Sequence, residues 1–361
     1  MTEIPLLNIS SSNQSGNQSN STICPDLDDW WDIVHYIVPK YINTICVVGM
    51  LGNVFVLFIY SLHKGPLKIP EIYLMNLAVA DLIFLMCLPF WAENINKGFN
   101  WPFGSFLCRS ISASITLNIY TSIFLLVAVS MDRYLTFVHT LNHREMWSKT
   151  MTKGICLLIW FLCILLSIPA FMFRTVKYFP QWNISACTLD FPTPWWERAE
   201  SLVRNVLGFL LPSTAIIFLN FSTIRSLLKT ARERKTLRAK CCKRHKGTKA
   251  TRLIFIVVLM FLFCWTPYHF FVFLDTLYRT KVIKVCFWGE LINFGEQFAF
   301  MLATTNSCIN PVIYVFVGKY FRQKALEVFS QFIPCGFPWR WVSFKEMSSN
   351  FNMFPVKSSL T

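Results

Sequence analysis

Asn310-Pro311-Val312-Ile313-Tyr314 closes a long apolar stretch near the C-terminus, and Asp132-Arg133-Tyr134 closes another in the first half of the chain. Ionisable and helix-breaking residues are costly in lipid and are kept where a buried, moving or conducting element uses them. Two such signatures at corresponding ends of two apolar stretches point to a seven-helix membrane receptor that signals inward. The spans lie at residues 42–62, 72–92, 110–129, 154–173, 205–224, 253–274 and 298–317. About 20 apolar residues are needed to cross a hydrocarbon core of roughly 30 Å, and each stretch meets that length. Five carry no charge; the second holds Asp81 and the sixth only His269. The composition agrees. Over 361 residues it is 54% hydrophobic, 16% aromatic and 15% charged, with a mean hydropathy of +0.45, too apolar for a soluble chain.

The expected fold is an all-α membrane protein, a seven-transmembrane-helix bundle with a short C-terminal interfacial helix. The chain divides into an extracellular tail (1–36), the membrane domain (37–317), an amphipathic interfacial helix (318–334) and a cytoplasmic tail (335–361). No internal repeat suggests a transporter built from duplicated halves.

Charge sets the orientation. Residues 1–39 hold Glu3, Asp26, Asp28, Asp29 and Asp32 but no Lys or Arg. The segment between spans five and six is the most basic, from Lys229 through Arg232, Lys235, Lys240 and Arg244 to Arg252. Lys and Arg stay cytoplasmic, so the N-terminus is expected outside and the C-terminus inside, in the plasma membrane. Arg279, Lys281 and Lys284 in the last outer loop run against this and are outvoted. The net charge of +15 is then a topology signal; a nucleic-acid partner is excluded by the position of the basic loop between two spans. The first residues lack a basic start and an apolar core, so span one is expected to act as an uncleaved signal anchor.

The N-terminal tail is rich in Ser and Asn and reads as disordered. Glycosylation sequons fall at Asn8, Asn13, Asn17 and Asn20, with another at Asn183 in the outer loop before span five. Asn220-Phe221-Ser222 fits the same pattern but lies deep in span five, where no modification is expected. Cys108 at the start of span three and Cys187 in the second outer loop both face an oxidising space and are expected to bridge. Cys24 and Cys286, also outside, are the second expected pair. The cysteines within the spans read as small packing residues. No zinc spacing, CxxC pair or His/Cys/Asp/Glu cluster suggests a metal enzyme, and no cofactor is expected. Phe321, Ala325, Val328, Phe329 and Phe332 share one helical face after span seven. They suit a helix lying on the inner leaflet, with Cys335 as a palmitoylation candidate.

The chain resembles the rhodopsin-like G-protein-coupled receptors along its whole membrane domain. The landmarks are Gly52-Asn53, Leu77-Ala78-Val79-Ala80-Asp81, Asp132-Arg133-Tyr134, Trp160, Pro212, Cys264-Trp265-Thr266-Pro267 and Asn310-Pro311-Val312-Ile313-Tyr314. One falls in each span, in order. The chain is similar in more detail to the bradykinin (kinin) receptors. Leu88 to Ile95, with Trp91, carries that likeness, as do Phe99 to Gly104, Asn205 to Pro212, Pro267-Tyr268-His269-Phe270-Phe271 and Val315 to Lys319. Some stretches look like the type-1 receptor. Phe173 to Lys177 and Leu274 to Leu277 look like type 2.

The resemblance implies machinery. Asp81, Asn118, Ser122, Asn306 and Asn310 are where the family gathers a buried sodium ion, an allosteric ligand suited to hard oxygen donors. A hydrogen-bonded network with water is the alternative. Arg133 is expected to pair with Asp132 at rest and to swing towards a G protein on activation. Trp265 beside Pro267 is the expected relay, since proline removes a backbone hydrogen bond and leaves a bend; plain core packing is the other reading. Tyr134, Pro311 and Tyr314 complete the set.

The implied ligand is an extracellular kinin peptide, short and basic with arginine at its ends. Asp275 matches the family acid at the top of helix six and is the first choice for a peptide arginine or amine; a solvated loop acid is the alternative. The second family acid is missing: Asn293 stands there, and Glu296, one turn deeper, or Glu290 could substitute. Gln297 and Arg174 match pocket positions, Arg174 towards the peptide carboxylate, with Tyr268, Trp265 and Trp91 also in the expected pocket. Thr116 replaces a type-1 lysine that favours kinins lacking the last arginine, so the intact peptide is expected. The family further implies coupling to Gq/11, phospholipase C activation and calcium release. Arrestin and receptor kinases would act on Ser343, Ser348, Ser349, Ser358, Ser359 and Thr361.

Three other classes compete. A channel or transporter would need a continuous polar lining, and an enzyme a nucleophile–base set, yet His269 has no companions in the spans. The angiotensin and chemokine receptors share the acidic tail and outer bridges. A type-1-like preference for des-Arg kinins is the remaining alternative within the family.

Overall fold

The computed structural model of the chain describes residues 28–138, 148–236, 245–283 and 286–332. Asn8, Asn13, Asn17, Asn20, Cys24, Cys335 and the C-terminal serines lie outside the described residues, as do the side chains of Cys286 and Glu290. The helices are α1 (Asp28–Leu62), α2 (Ile69–Asn96), α3 (Gly104–Val138) and α4 (Lys149–Phe173). Strands β1 (Arg174–Phe179) and β2 (Ile184–Leu189) follow. Then come α5, running Pro194–Asn205, Val206–Leu210 and Leu211–Thr236 without interruption, α6 (His245–Arg279), α7 (Cys286–Phe316) and α8 (Lys319–Phe332). Seven of these helices are long and apolar enough to span a membrane.

The helices overrun the apolar windows at both ends. α1 begins at Asp28, inside the stretch expected to be tail, and α5 begins at Pro194 rather than near 205. Hydropathy records only what faces lipid; the extra turns are held by packing. Trp31, Val34 and Val38 are buried, and the Trp31 ring meets Phe99 and Phe294 edge-on at 6.1 and 6.4 Å. Local signals set other ends. Ser148 accepts the Met151 amide at 3.1 Å as the N-cap of α4. Glu71, in the first turn of α2, accepts the Lys68 amide at 2.7 Å.

Prolines lie inside α1, α2, α4, α6 and α7. In α5 the five residues Val206–Leu210 form a single wide π turn just before Pro212. A proline ring crowds the carbonyl four residues back, here that of Gly208, and widening the turn relieves it. Gly208 is also a close approach: a Cβ there would stand 3.2 Å from the Tyr120 ring of α3.

Two amide contacts fix the bundle. Asn53 Nδ2 of α1 donates to the Ser307 carbonyl of α7 at 2.8 Å, and Trp160 Nε1 of α4 donates to Asn76 Oδ1 of α2 at 3.0 Å. The side chains most buried line the inward faces, including Phe84, Phe261, Trp265 and Tyr314. α4 lies at the edge, with Leu157, Phe161 and Leu165 exposed, as befits side chains that meet lipid.

At the end of the bundle where α3 begins, β1 and β2 pair antiparallel with Val176 opposite Cys187. The expected Cys108–Cys187 disulfide is present, with a Cα separation of 5.7 Å, and it ties the hairpin to α3. The first outer loop docks on it as well: the Trp101 amide donates to Ser185 O at 2.7 Å and the Ser185 amide to Asn100 Oδ1 at 3.0 Å. Asn183 is exposed at the hairpin turn. Asn220 is buried and donates to Ser130 Oγ at 3.1 Å.

At the opposite end, α8 turns away from α7 at Gly318, where a Cβ would clash with Tyr314 O at 2.4 Å. Phe321 and Val328 are buried as the apolar face requires, while Phe329 is exposed. The buried side also includes a charge. Lys324 Nζ lies 2.7 Å from Glu71 Oε2 of α2, each side chain 8% exposed.

Candidate functional site

Two polar sites share the bundle axis, one at mid-depth and one in the outer half. Asp81 of α2 is wholly buried. Ser307 Oγ and Asn118 Nδ2 donate to its Oδ1 at 2.7 and 3.4 Å, and Asn310 Nδ2 donates to Oδ2 at 3.0 Å. Three helices thus converge on one carboxylate. Ser307 was not among the expected residues. It precedes Asn310 by three, one helical turn on the same face, and that spacing was the signal available.

The remaining oxygens of this site are informative. Asn118 Oδ1, Ser122 Oγ, Asn306 Oδ1 and Asn310 Oδ1 are buried, and each lacks a hydrogen-bond partner. Buried acceptors without donors are costly. A hard cation such as sodium, which takes oxygen ligands, fits this donor set.

One step outward, Trp265 of α6 is fully buried. Its ring lies 6.0 Å from Phe261, 5.8 Å from Tyr268 and 6.2 Å from His269. His269 stacks on Phe209 of the π turn at 4.4 Å and 11°. The deep histidine is therefore packed between α5 and α6 and carries no catalytic geometry.

Above this aromatic layer stands a group of charges. Glu296 of α7 is buried, and its Oε2 has no hydrogen-bond partner. Gln297 beside it is buried, and Asn293 one turn outward is half-buried. Arg204 of α5 makes a loose ion pair with Glu200 at 3.6 Å. Gly208, one turn on along α5, faces the Tyr120 and His269 rings, which puts Arg204 on the side of α5 turned to the bundle. Arg204 did not stand out in the sequence because it directly precedes span five and reads there as a flanking charge.

Asp275 has a different environment from the one expected. Its carboxylate is held by Arg279 one turn on, Nε to Oδ2 at 2.7 Å, and Arg279 also reaches Glu197 of α5 at 3.2 Å. The acid at the mouth is therefore already engaged by a cation of the same chain. Arg174 is buried under the hairpin, where Nη1 donates to Cys187 O at 3.0 Å. Thr116 Oγ1 donates to Ser112 O at 3.0 Å and brings no charge to the pocket. Trp91 is buried against Trp101, with ring centroids 6.5 Å apart, and so supports the first outer loop.

At the inner end of α3, Asp132 is fully buried and Arg133 Nε donates to its Oδ2 at 2.8 Å. The adjacent pair is closed. Tyr134 lies 6.4 Å from Phe218 of α5. Gly52 approaches Pro311 so closely that a Cβ would stand 2.9 Å from the proline ring, which packs α1 against the Asn310–Tyr314 signature.

Comparison with known proteins agrees with this architecture. Residues 52–314 match the family described as 7 transmembrane receptor (rhodopsin family). The chain is 45% identical over 331 residues to the B1 bradykinin receptor of Homo sapiens, covering 91% of this chain and 93% of that one. It is 44% identical over 316 residues to the receptor of the same name from Canis lupus familiaris, covering 87% and 88%. The Rattus norvegicus protein of that name is 44% identical over 333 residues, covering 89% and 98%. Receptors of this family are not enzymes and are multi-pass proteins of the plasma membrane. The chain belongs to the rhodopsin family of seven-transmembrane receptors and, within it, to the bradykinin receptors.

Proposed function

We propose that the chain is a receptor for a basic kinin peptide, that it takes the intact peptide, and that it activates Gq/11, phospholipase C and calcium release. The observation that carries the reading is the set of charged groups on the outer side of the Trp265–Tyr268 ring pair: Glu296 of α7, buried with an unpartnered Oε2, Arg204 of α5, with an unpartnered Nε, and Asp275 of α6. A short peptide with arginine at both ends needs carboxylates near the mouth and a buried surface below. The chamber offers both. Gln297, Asn293, Arg174 and Trp91 line or brace it.

Binding works by exchange. A peptide arginine or N-terminal amine takes Asp275 from Arg279, and Arg279 retains Glu197. A charge-assisted hydrogen bond of this kind contributes about 1.5–3 kcal/mol. The lack of charge at Thr116, whose hydroxyl is turned back to Ser112 O, supports the peptide that keeps its last arginine. The names of the similar proteins favour a second reading, a type-1 preference for des-Arg kinins.

The rest of the mechanism is a population shift. Asp81, Asn118, Ser122, Asn306 and Asn310, joined by Ser307, would hold sodium in the resting bundle. The ion would supply positive charge for a buried carboxylate whose other partners, Ser307, Asn118 and Asn310, are neutral donors. Peptide pressing on Trp265 rotates α6 about Pro267, the site loses its geometry, and Arg133 leaves Asp132 for the G protein. Tyr134 and the Asn310-Pro311-Tyr314 segment move with it. The N-terminus and the sequons at Asn8, Asn13, Asn17, Asn20 and Asn183 face outward, and Cys24 pairs with Cys286. Inside, palmitate on Cys335 anchors α8, and receptor kinases and arrestin act on the tail.

Calcium release in cells expressing the chain tests the reading. Intact bradykinin is expected to act at lower concentration than its des-Arg form, and angiotensin and chemokines not at all. Greater potency of the des-Arg peptide would favour the second reading, and silence to both would remove the kinin assignment.

A further inference from the structure

Arg204 is the least satisfied cation of the outer chamber. Its side chain is 15% exposed, and its Nε is buried without a hydrogen-bond partner. The contact with Glu200, one turn back on the same helix, is loose at 3.6 Å. Gly208, one turn on from Arg204, faces the bundle: a Cβ there would stand 3.2 Å from the Tyr120 ring of α3 and 3.9 Å from the His269 ring of α6. Arg204 shares that face, so its guanidinium is directed to the bundle axis, not to lipid. Glu296 of α7 lies one turn outward of Phe300, whose ring is 6.2 Å from Tyr268 of α6, and its Oε2 is likewise buried and without a partner. The chamber thus presents one unfilled donor and one unfilled acceptor, opposite in charge, on opposing helices.

A guanidinium nitrogen and a carboxylate oxygen buried without partners are costly until a ligand completes them. A guanidinium is a flat fork that matches a carboxylate, and a carboxylate matches a guanidinium in the same way. One chemical unit carries both partners on a single residue: a C-terminal arginine, with its free α-carboxylate and its side chain. The other cation considered for this task, Arg174, already donates to Cys187 O.

We propose that Arg204 and Glu296 together form a subsite for a C-terminal arginine, Arg204 holding the α-carboxylate and Glu296 the guanidinium. The inference rests on the kinin reading and deepens it. It explains why the intact peptide is preferred, since removing the last arginine leaves Glu296 unpaired and moves the carboxylate out of reach. Asp275 then serves the other end of the peptide.

Radioligand displacement on membranes bearing the full chain tests this with three peptides: bradykinin, its C-terminal amide, and an analogue with citrulline as the last residue. For the unaltered receptor the amide and the citrulline peptide should each bind about tenfold or more weakly. In Arg204→Gln the penalty for amidation should vanish while that for citrulline remains; in Glu296→Gln the reverse should hold. Undiminished amide binding to the unaltered receptor overturns the proposal without need of any variant. An amidation penalty of equal size in Arg204→Gln also overturns it. Failure of the unaltered receptor to bind bradykinin at all would instead refute the kinin reading, and this subsite with it.

Discussion

Arg279 makes an unusual demand on ligand binding, because it occupies the acid that a peptide cation would use. The pair is Arg279 Nε to Asp275 Oδ2 at 2.7 Å, with side chains 29% and 15% exposed. A partly exposed helical pair is worth about 0–1 kcal/mol. Arg279→Gln removes that competitor, so kinin affinity should rise by up to about fivefold. Asp275→Asn deletes a charge-assisted bond of about 1.5–3 kcal/mol. Binding to the unaltered receptor must first give up the Arg279 pair, so the net loss is about 1–2 kcal/mol, roughly five- to thirtyfold. In the Arg279→Gln background the same change should cost more, roughly ten- to 150-fold, because nothing is given up. Saturation binding of labelled bradykinin to the four receptors, corrected for surface expression, measures the cycle. If Asp275→Asn costs the same in both backgrounds and Arg279→Gln does not improve affinity, Arg279 is not a competitor and the exchange mechanism is wrong.

Three further outcomes are expected. Thr116→Lys adds a cation to α3 and should shift calcium potency towards the des-Arg peptide; an unchanged ratio would detach Thr116 from selectivity. Asp81→Asn removes the charge that would hold sodium, so agonist binding should lose its dependence on sodium against a potassium control, whereas retained dependence would show that this carboxylate does not hold the ion. Lys324→Met leaves the Glu71 carboxylate with only the Lys68 amide, at a site where both partners of the lost ion pair are 8% exposed, and breaking such a pair costs about 3–5 kcal/mol. Thermal inactivation in detergent should therefore accelerate, and Glu71→Gln in the same chain should restore much of the loss; an unstable double variant would locate the damage elsewhere.

The bundle was largely legible because lipid imposes a length and a polarity on each span, and because Asp132-Arg133-Tyr134 and Asn310 to Tyr314 mark the inner ends of two of them. The Cys108–Cys187 bridge followed from compartment. Helix ends were less legible. The outer turns of α1 hold through Trp31, Val34 and Val38 packing inward, and hydropathy does not distinguish packing from lipid contact. The π turn at Val206–Leu210 was hidden for a similar reason: Gly208 and Pro212 each permit it, but only Tyr120 and His269 give it a shape to fill. Polar partnerships across helices were least visible. Periodicity marked Phe321 and Val328 on the apolar face of α8 but gave no sign that Lys324 is buried with them, since its partner Glu71 lies 253 residues away. Likewise Asp275 reads as a free acid until Arg279 and Glu197 are found beside it, and Arg204 as a flank until Glu296 is seen across the chamber.

Nucleotide exchange on purified Gq, with the purified receptor in lipid and bradykinin added or withheld, tests the central claim most directly. Peptide should accelerate exchange, and Arg133→Ala should abolish the acceleration while leaving peptide binding in place. Exchange that is indifferent to peptide, in a receptor shown to bind it, would contradict the account of a bundle tipped from outside and read from within.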